Sequence, residues 1–232
     1  YEMQRSLVGS EMCIRDSAAY YLDNLLNDNM ILGISWGNTM YHTVKAVKTS
    51  KNIPITVVPI MGAANVRTPE RDSLDLSKEL AYAYGGTYHY IYAPLFVNSE
   101  EVRDSLEQEP NIKGCLELAR NADIILTSVG SIVYKSWKSY LSTRDLYNLE
   151  KKGAIGHIGG HFYDMEGNEV ITPFVNKMIG LGIEDIKNTE NVICVAGLEM
   201  KAEAILGAVR GGYINTLITD EEAAKAVLAL CK

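Results

Sequence analysis

Short apolar runs rich in β-branched residues recur along this chain, and longer stretches with apolar residues at helical spacing separate them. That alternation constrains the fold more than any other feature. MILGIS (Met30–Ser35), ITVVPI (Ile55–Ile60), TYHYIY (Thr87–Tyr92), IILTSV (Ile124–Val129), VICVA (Val192–Ala196) and Ile214–Ile218 are each of strand length and read as strands. Between them, Ala18–Asn27, Thr39–Val47, Leu74–Tyr84, Ser99–Leu106, Ile112–Arg120, Thr143–Lys151 and Met200–Val209 read as helices. Gly85-Gly86 gives a stop signal, and Thr219 with Glu222 forms a capping box before a last helix. Gly153–Val170 is glycine-rich and reads as irregular, with an ordinary hairpin turn at Asp164–Gly167. Strands alternating with helices predict an α/β fold: a mostly parallel sheet flanked by helices on both faces.

The chain has 232 residues, 47% hydrophobic and 22% charged, which suits one large or two small domains. Nineteen glycines against six prolines fit many tight strand-to-helix turns. The formal net charge of −7 gains nothing from the phosphate electrostatics of nucleic acid, so direct DNA binding by this chain is not expected. No apolar run reaches the roughly 18 residues of a membrane span. Cys13, Cys115, Cys194 and Cys231 lie far apart without a CxxC pair, which points to thiols in a reducing cytoplasm.

Tyr1–Ser17 shows no periodicity and no signal-peptide layout. Leu7–Ser17, LVGSEMCIRDS, is what a transposase-type sequencing adapter encodes in one frame. Residues 1–17 are therefore expected to be a non-native tail, with the natural segment, 18–232, opening near Ala18.

In open parallel sheets, ligands bind on the turns that follow the carboxyl ends of strands. The turn Ser35-Trp36-Gly37-Asn38-Thr39 follows one strand and opens a helix. It reads either as an anion cradle, with Gly37, Asn38 and Thr39 around a phosphate, or as a plain tight turn with Thr39 as N-cap. Lys201, after Ala196-Gly197-Leu198, opposes the dipole of the helix it opens, so it reads as aimed at an anion or as a solvated surface lysine. His157 and His161 have metal-like spacing, but Gly156, Gly159 and Gly160 disfavour a helix there, and no metal is expected. There is no GxSxG, no Walker loop and no carboxylate that stands out as a general base, so no catalytic residue or cofactor is expected.

At these turns the sequence resembles the effector domain of the SorC family of bacterial transcription regulators. The similarity spans Ala18–Leu230 in ordered stretches: ILGISWGNT, VVPIMGA, LAYAYGGTYHYIYAPL, LELARNADIILTSVGS, KGAIGHIGGHFYDMEGN, VAGLEMKAEAILGAVRGG and INTLITDEEAA. The resemblance implies a three-layer fold like the NagB/RpiA/CoA-transferase group and a phosphorylated sugar as effector. It implies no membrane partner, a homodimer or homotetramer, and operator DNA bound only through an N-terminal helix-turn-helix. That element and the first part of the effector domain are expected to precede Ala18. The family's phosphate turn falls on Gly37, Asn38 and Thr39, its phosphate-contacting lysine on Lys201, and its hydroxyl-binding acid on His157. A basic residue ahead of that acid falls on Lys138. His157 stands where the family has an acid, and Leu198 where it has a second glycine. The alternatives are a sugar-phosphate isomerase or deaminase of the same fold, which needs a positioned carboxylate base, and a bare interaction domain.

Overall fold

The computed structural model describes residues 11–64, 71–132, 137 and 140–231. All six expected strands enter one sheet. They are β1 (Ile31–Ile34), β2 (Thr56–Pro59), β3 (Thr87–Tyr88), β4 (Ile124–Thr127), β8 (Asn191–Val195) and β9 (Thr216–Ile218). Every pairing is parallel, in the order β3-β2-β1-β4-β8-β9. β3 is shorter than its aromatic alternation predicts. After His89, whose N–H still donates to Val57 O at 2.9 Å, the chain leaves the ladder, and isolated bridges pair Pro94 with Ala63 and Phe96 with Met178.

Alternate strand residues enter two cores, which is why these strands are apolar throughout. Leu32, Ile34, Val57, Ile124, Leu126, Ile193 and Val195 pack under α1 (Glu11–Leu25), α2 (Asn38–Ala46) and α3 (Ser73–Tyr84). Val58, Ile60, Ile125, Val192 and Cys194 face the opposite layer. That layer holds α5 (Pro110–Arg120) and α8 (Ala202–Arg210). α4 (Glu100–Glu107) and α6 (Thr143–Lys151) lie near their expected bounds, and a short α7 (Ile183–Asn188) was not anticipated.

Gly153–Val170 is not irregular. β5 (Val129–Ser131), β6 (Gly156–Ile158) and β7 (His161–Tyr163) form a three-stranded antiparallel sheet. The β6–β7 hairpin turns on Gly159 and Gly160 with φ of 56° and 91°, left-handed values that suit a two-residue turn. Strands of three residues interrupted by glycine carry too little pattern to be read from sequence.

Two helix starts also differ from expectation. The last helix, α9 (Glu221–Leu230), is capped by Asp220 rather than Thr219; Asp220 Oδ1 accepts from Ala223 N at 2.8 Å. Thr219 lies one residue outside, its buried Oγ1 without a partner among the described residues. α1 begins at Glu11, so the helical pattern expected from Ala18 opens earlier. Ile14, 4% exposed, extends the i, i+4 stripe of Ala18, Leu22 and Leu26 into the core. The helix accommodates Glu11–Ser17 whatever the origin of their codons.

Docking of that first turn has a measurable consequence. Ile14→Ala should lower unfolding stability by about 2 kcal/mol, the low end for a buried isoleucine because the site is near a helix end. An unchanged urea midpoint would show that the turn does not dock.

Candidate functional site

β1, β4 and β8 are neighbours in the sheet, and their carboxyl ends converge on one cleft. From β1 the chain passes to β2 on one side and later returns to β4 on the other, so the cleft opens where the strand order reverses. Its empty volume is about 950 Å³ with the solvent mouth included. Ser35 and Thr127 close the floor: their buried hydroxyls, at the ends of β1 and β4, bond at 3.1 Å.

One wall is the turn into α2. Gly37 is its N-cap residue, with φ 123° and no side-chain cap. Tyr41 N donates to Gly37 O at 2.9 Å, which closes the first helical turn. A helix start leaves its first N–H groups without intrahelical acceptors, and this one sits at the cleft, which Gly37, Asn38 and Thr39 line. The alternative of Thr39 as N-cap does not hold: Thr39 lies inside the helix, and its carbonyl accepts from Thr43 Oγ1 at 3.0 Å.

The second wall is the turn after β8. Leu198 adopts φ 77°, a left-handed value rare for a branched side chain. Its N–H donates to Asp220 Oδ2 at 2.7 Å. A single 3-10 turn, Glu199–Lys201, follows, and Lys201 ends it as the N-cap residue of α8. Lys201 lines the cleft and is the cation among the described lining residues, which include no carboxylate.

The third wall comes from the small sheet. Gly130 on β5 pairs with His157 on β6, and a Cβ on Gly130 would stand 2.1 Å from His157 Nε2. Only glycine lets the imidazole lie across β5. Trp137 meets that ring edge-on at 5.2 Å, and also packs on Trp36, Tyr140 and Phe162. Two buried polar atoms of this wall, His157 Nε2 and Trp137 Nε1, have no hydrogen-bond partner among the described residues. His157 as a whole residue is part-buried. Burial first, and Lys201 second, pull its pKa down to about 3, so the ring is neutral at physiological pH.

Gly37, Asn38, Thr39, His157 and Lys201, read separately from the sequence, thus line one cleft. Lys138 lies outside the described residues, although its neighbour Trp137 lines the cleft. Ser128, Gly130, Ser131 and Trp137 were missed as lining residues. Their one sequence signal is that the Thr127-Ser128-Val129-Gly130 segment ends a strand. His161 takes no part: its ring nitrogens meet Glu169 Oε1 at 2.7 Å and Leu181 O at 2.9 Å. Among the described residues, no group of three or more His, Cys, Asp or Glu could hold a metal.

The family model described as "Putative sugar-binding domain" matches residues 6–229. The deoxyribonucleoside regulator of Bacillus subtilis is 28% identical over 212 residues, covering 90% of this chain and 68% of that protein. The transcriptional regulator LsrR of Escherichia coli K12 is 29% identical over 218 residues, covering 91% and 66%. The chain spans about two thirds of the length of the curated relatives it matches. Among solved structures, one from Shigella flexneri titled "Probable sor Operon Regulator" superposes with a TM-score of 0.89. It is 25% identical, and the match covers 96% of this chain and 91% of that one.

The neutral imidazole makes a pH-dependent prediction. Unfolded, His157 takes a proton near pH 6.5; folded, only near about 3. Between those values the unfolded state binds the extra proton, so stability is full above pH 6.5 and falls as pH drops. His157→Gln should flatten the loss of melting temperature between about pH 7 and about pH 4.5. Parallel profiles for variant and wild type would refute the burial argument.

Proposed function

Because the chain belongs to the sugar-binding domain family of SorC-type bacterial transcription regulators, we propose that this cleft senses a phosphorylated sugar. The observation that carries the reading is the convergence of an uncapped helix start and a lysine on one cleft. A phosphate fits where the first N–H groups of α2, the Thr39 hydroxyl and the Asn38 amide supply donors and Lys201 supplies charge. The His157 imidazole then lies beside the sugar hydroxyls. The part-buried Trp36 indole offers apolar surface to the C–H face of the sugar. Lys138 belongs to the same set by the resemblance. Residues 18–232 act as the effector-binding domain.

Binding of sugar shifts the regulator between operator-bound and released states through unequal affinity for the two. In the full-length protein, operator DNA is met through an N-terminal helix-turn-helix, and the domain assembles as a homodimer or homotetramer in the cytoplasm. No helix among the described residues is long and apolar enough to cross a membrane. The comparisons give no support to an isomerase or deaminase of the same fold, since the named relatives are transcriptional regulators.

A thermal-shift screen of pentose and hexose phosphates tests the reading. A ligand at a hundred times its Kd adds about 2.7 kcal/mol of stability. Thr39→Val and Lys201→Ala should each weaken binding about tenfold or more, the scale of a charge-assisted hydrogen bond. Unchanged affinity in both variants would reject the site, and turnover of a sugar phosphate would reject the sensing role.

A further inference from the structure

The turn that carries Lys201 is held in part by a residue outside it. Leu198 sits at φ 77° and ψ 131°, a conformation unfavourable for a residue with a Cβ. Its N–H is bound by Asp220, which lies at the start of α9, beyond α8 and β9. The same carboxylate has a second task. Oδ2 accepts from Leu198 N at 2.7 Å and Oδ1 from Ala223 N at 2.8 Å. Asp220 is 7% exposed, and it is packed against the turn: a Cβ on Gly197 would stand 2.1 Å from its Oδ2. Downstream, Lys201 N donates to Leu198 O at 3.0 Å, so the peptide that places the lysine is anchored to the residue that Asp220 holds.

We propose that Asp220 is a positioning residue of the effector cleft. It clamps Leu198 in its left-handed conformation and so sets Lys201 for the ligand anion, while it caps α9. The inference rests on the cleft being the phosphosugar site, and it adds a residue outside the cleft lining. A purely structural role, capping α9, needs only one of the two carboxylate oxygens.

Asp220→Ser separates the two tasks. Serine is a good N-cap, but its single short hydroxyl cannot also hold Leu198 N–H. Amide hydrogen exchange on the ligand-free chain should show Leu198 exchanging about tenfold faster or more, with the interior of α9 still protected. Affinity should fall about tenfold or more for whichever of ribose 5-phosphate, 2-deoxyribose 5-phosphate, glucose 6-phosphate or fructose 6-phosphate shifts the wild type most. Adding Leu198→Gly should restore affinity to within about threefold, because glycine adopts this conformation without a clamp.

Wild-type exchange at Leu198, or wild-type affinity, in Asp220→Ser would overturn the proposal. So would a failure of Leu198→Gly to rescue, which would reduce Asp220 to a cap. If none of the four sugars binds the wild type, the sensing role fails with the binding arm, while the exchange arm still judges the clamp. Should Asp220→Ser not fold, Asp220→Asn carries the same expectations, since an amide oxygen serves one of the two N–H groups and its NH₂ repels the other.

Discussion

Parallel pairing of β1 on both of its edges, with β2 and with β4, is the constraint on which the rest of the molecule depends. Strands that all run the same way must end on the same side, and each return path crosses a face of the sheet as a helix. The carboxyl ends of β1, β4 and β8 therefore lie side by side, and the segments leaving them have no choice but to frame a common space. Because β2 lies on one side of β1 and β4 on the other, the connections after β1 and β4 diverge and leave that space open. The buried bond between Thr127 and Ser35 then satisfies two hydroxyls that the sheet would otherwise strand at its rim.

The small antiparallel sheet converts that opening into a site with its own electrostatics. It brings His157 over Gly130 and beside Trp137, where burial keeps the imidazole neutral. A buried polar atom without a partner costs about 1–3 kcal/mol, and His157 Nε2 and Trp137 Nε1 have none among the described residues. The sheet beneath, apolar on both faces, supplies the core that offsets them. Polar groups held at a stability cost beside a cleft are the mark of a binding surface organised before its ligand arrives. Neutral His157 thus leaves Lys201 as the cation among the described lining residues.

The main sheet was legible because each strand is buried on both sides and so reads as an unbroken apolar run; its order was not, since order depends on pairings between strands far apart in sequence, such as Leu32 with Ile124. The turns after β1 and β8 were legible as well, because glycine and helix-start signals sit next to each other in sequence. What escaped was everything set by distant contact. β5, β6 and β7 are three residues each, and the Gly130–His157 pairing that shapes the wall joins positions far apart in the chain. Thr219 followed by Glu222 satisfies the local rule for a capping box, whereas Asp220, followed three residues on by Ala223, meets only the N-cap preference. The helix start was decided instead by a carboxylate that had a second partner at Leu198.

Leu198 shows why a motif departure and a structural departure are different things. Where the family pattern places a glycine, a leucine would be expected to turn the backbone away from the ligand. Here the backbone keeps the positive φ that a glycine would adopt, so the substitution costs strain and leaves the path of the chain intact. That strain needs an external hold, and the Asp220 carboxylate provides it from the neighbouring helix start. The leucine side chain gains a place in return: it lines the shallow groove formed with Met200, Ala226, Ala229 and Leu230 on the outer side of the turn. One peptide unit thus belongs both to the cleft and to the surface of α9, and any ligand that moves Lys201 must work against the bond that joins them.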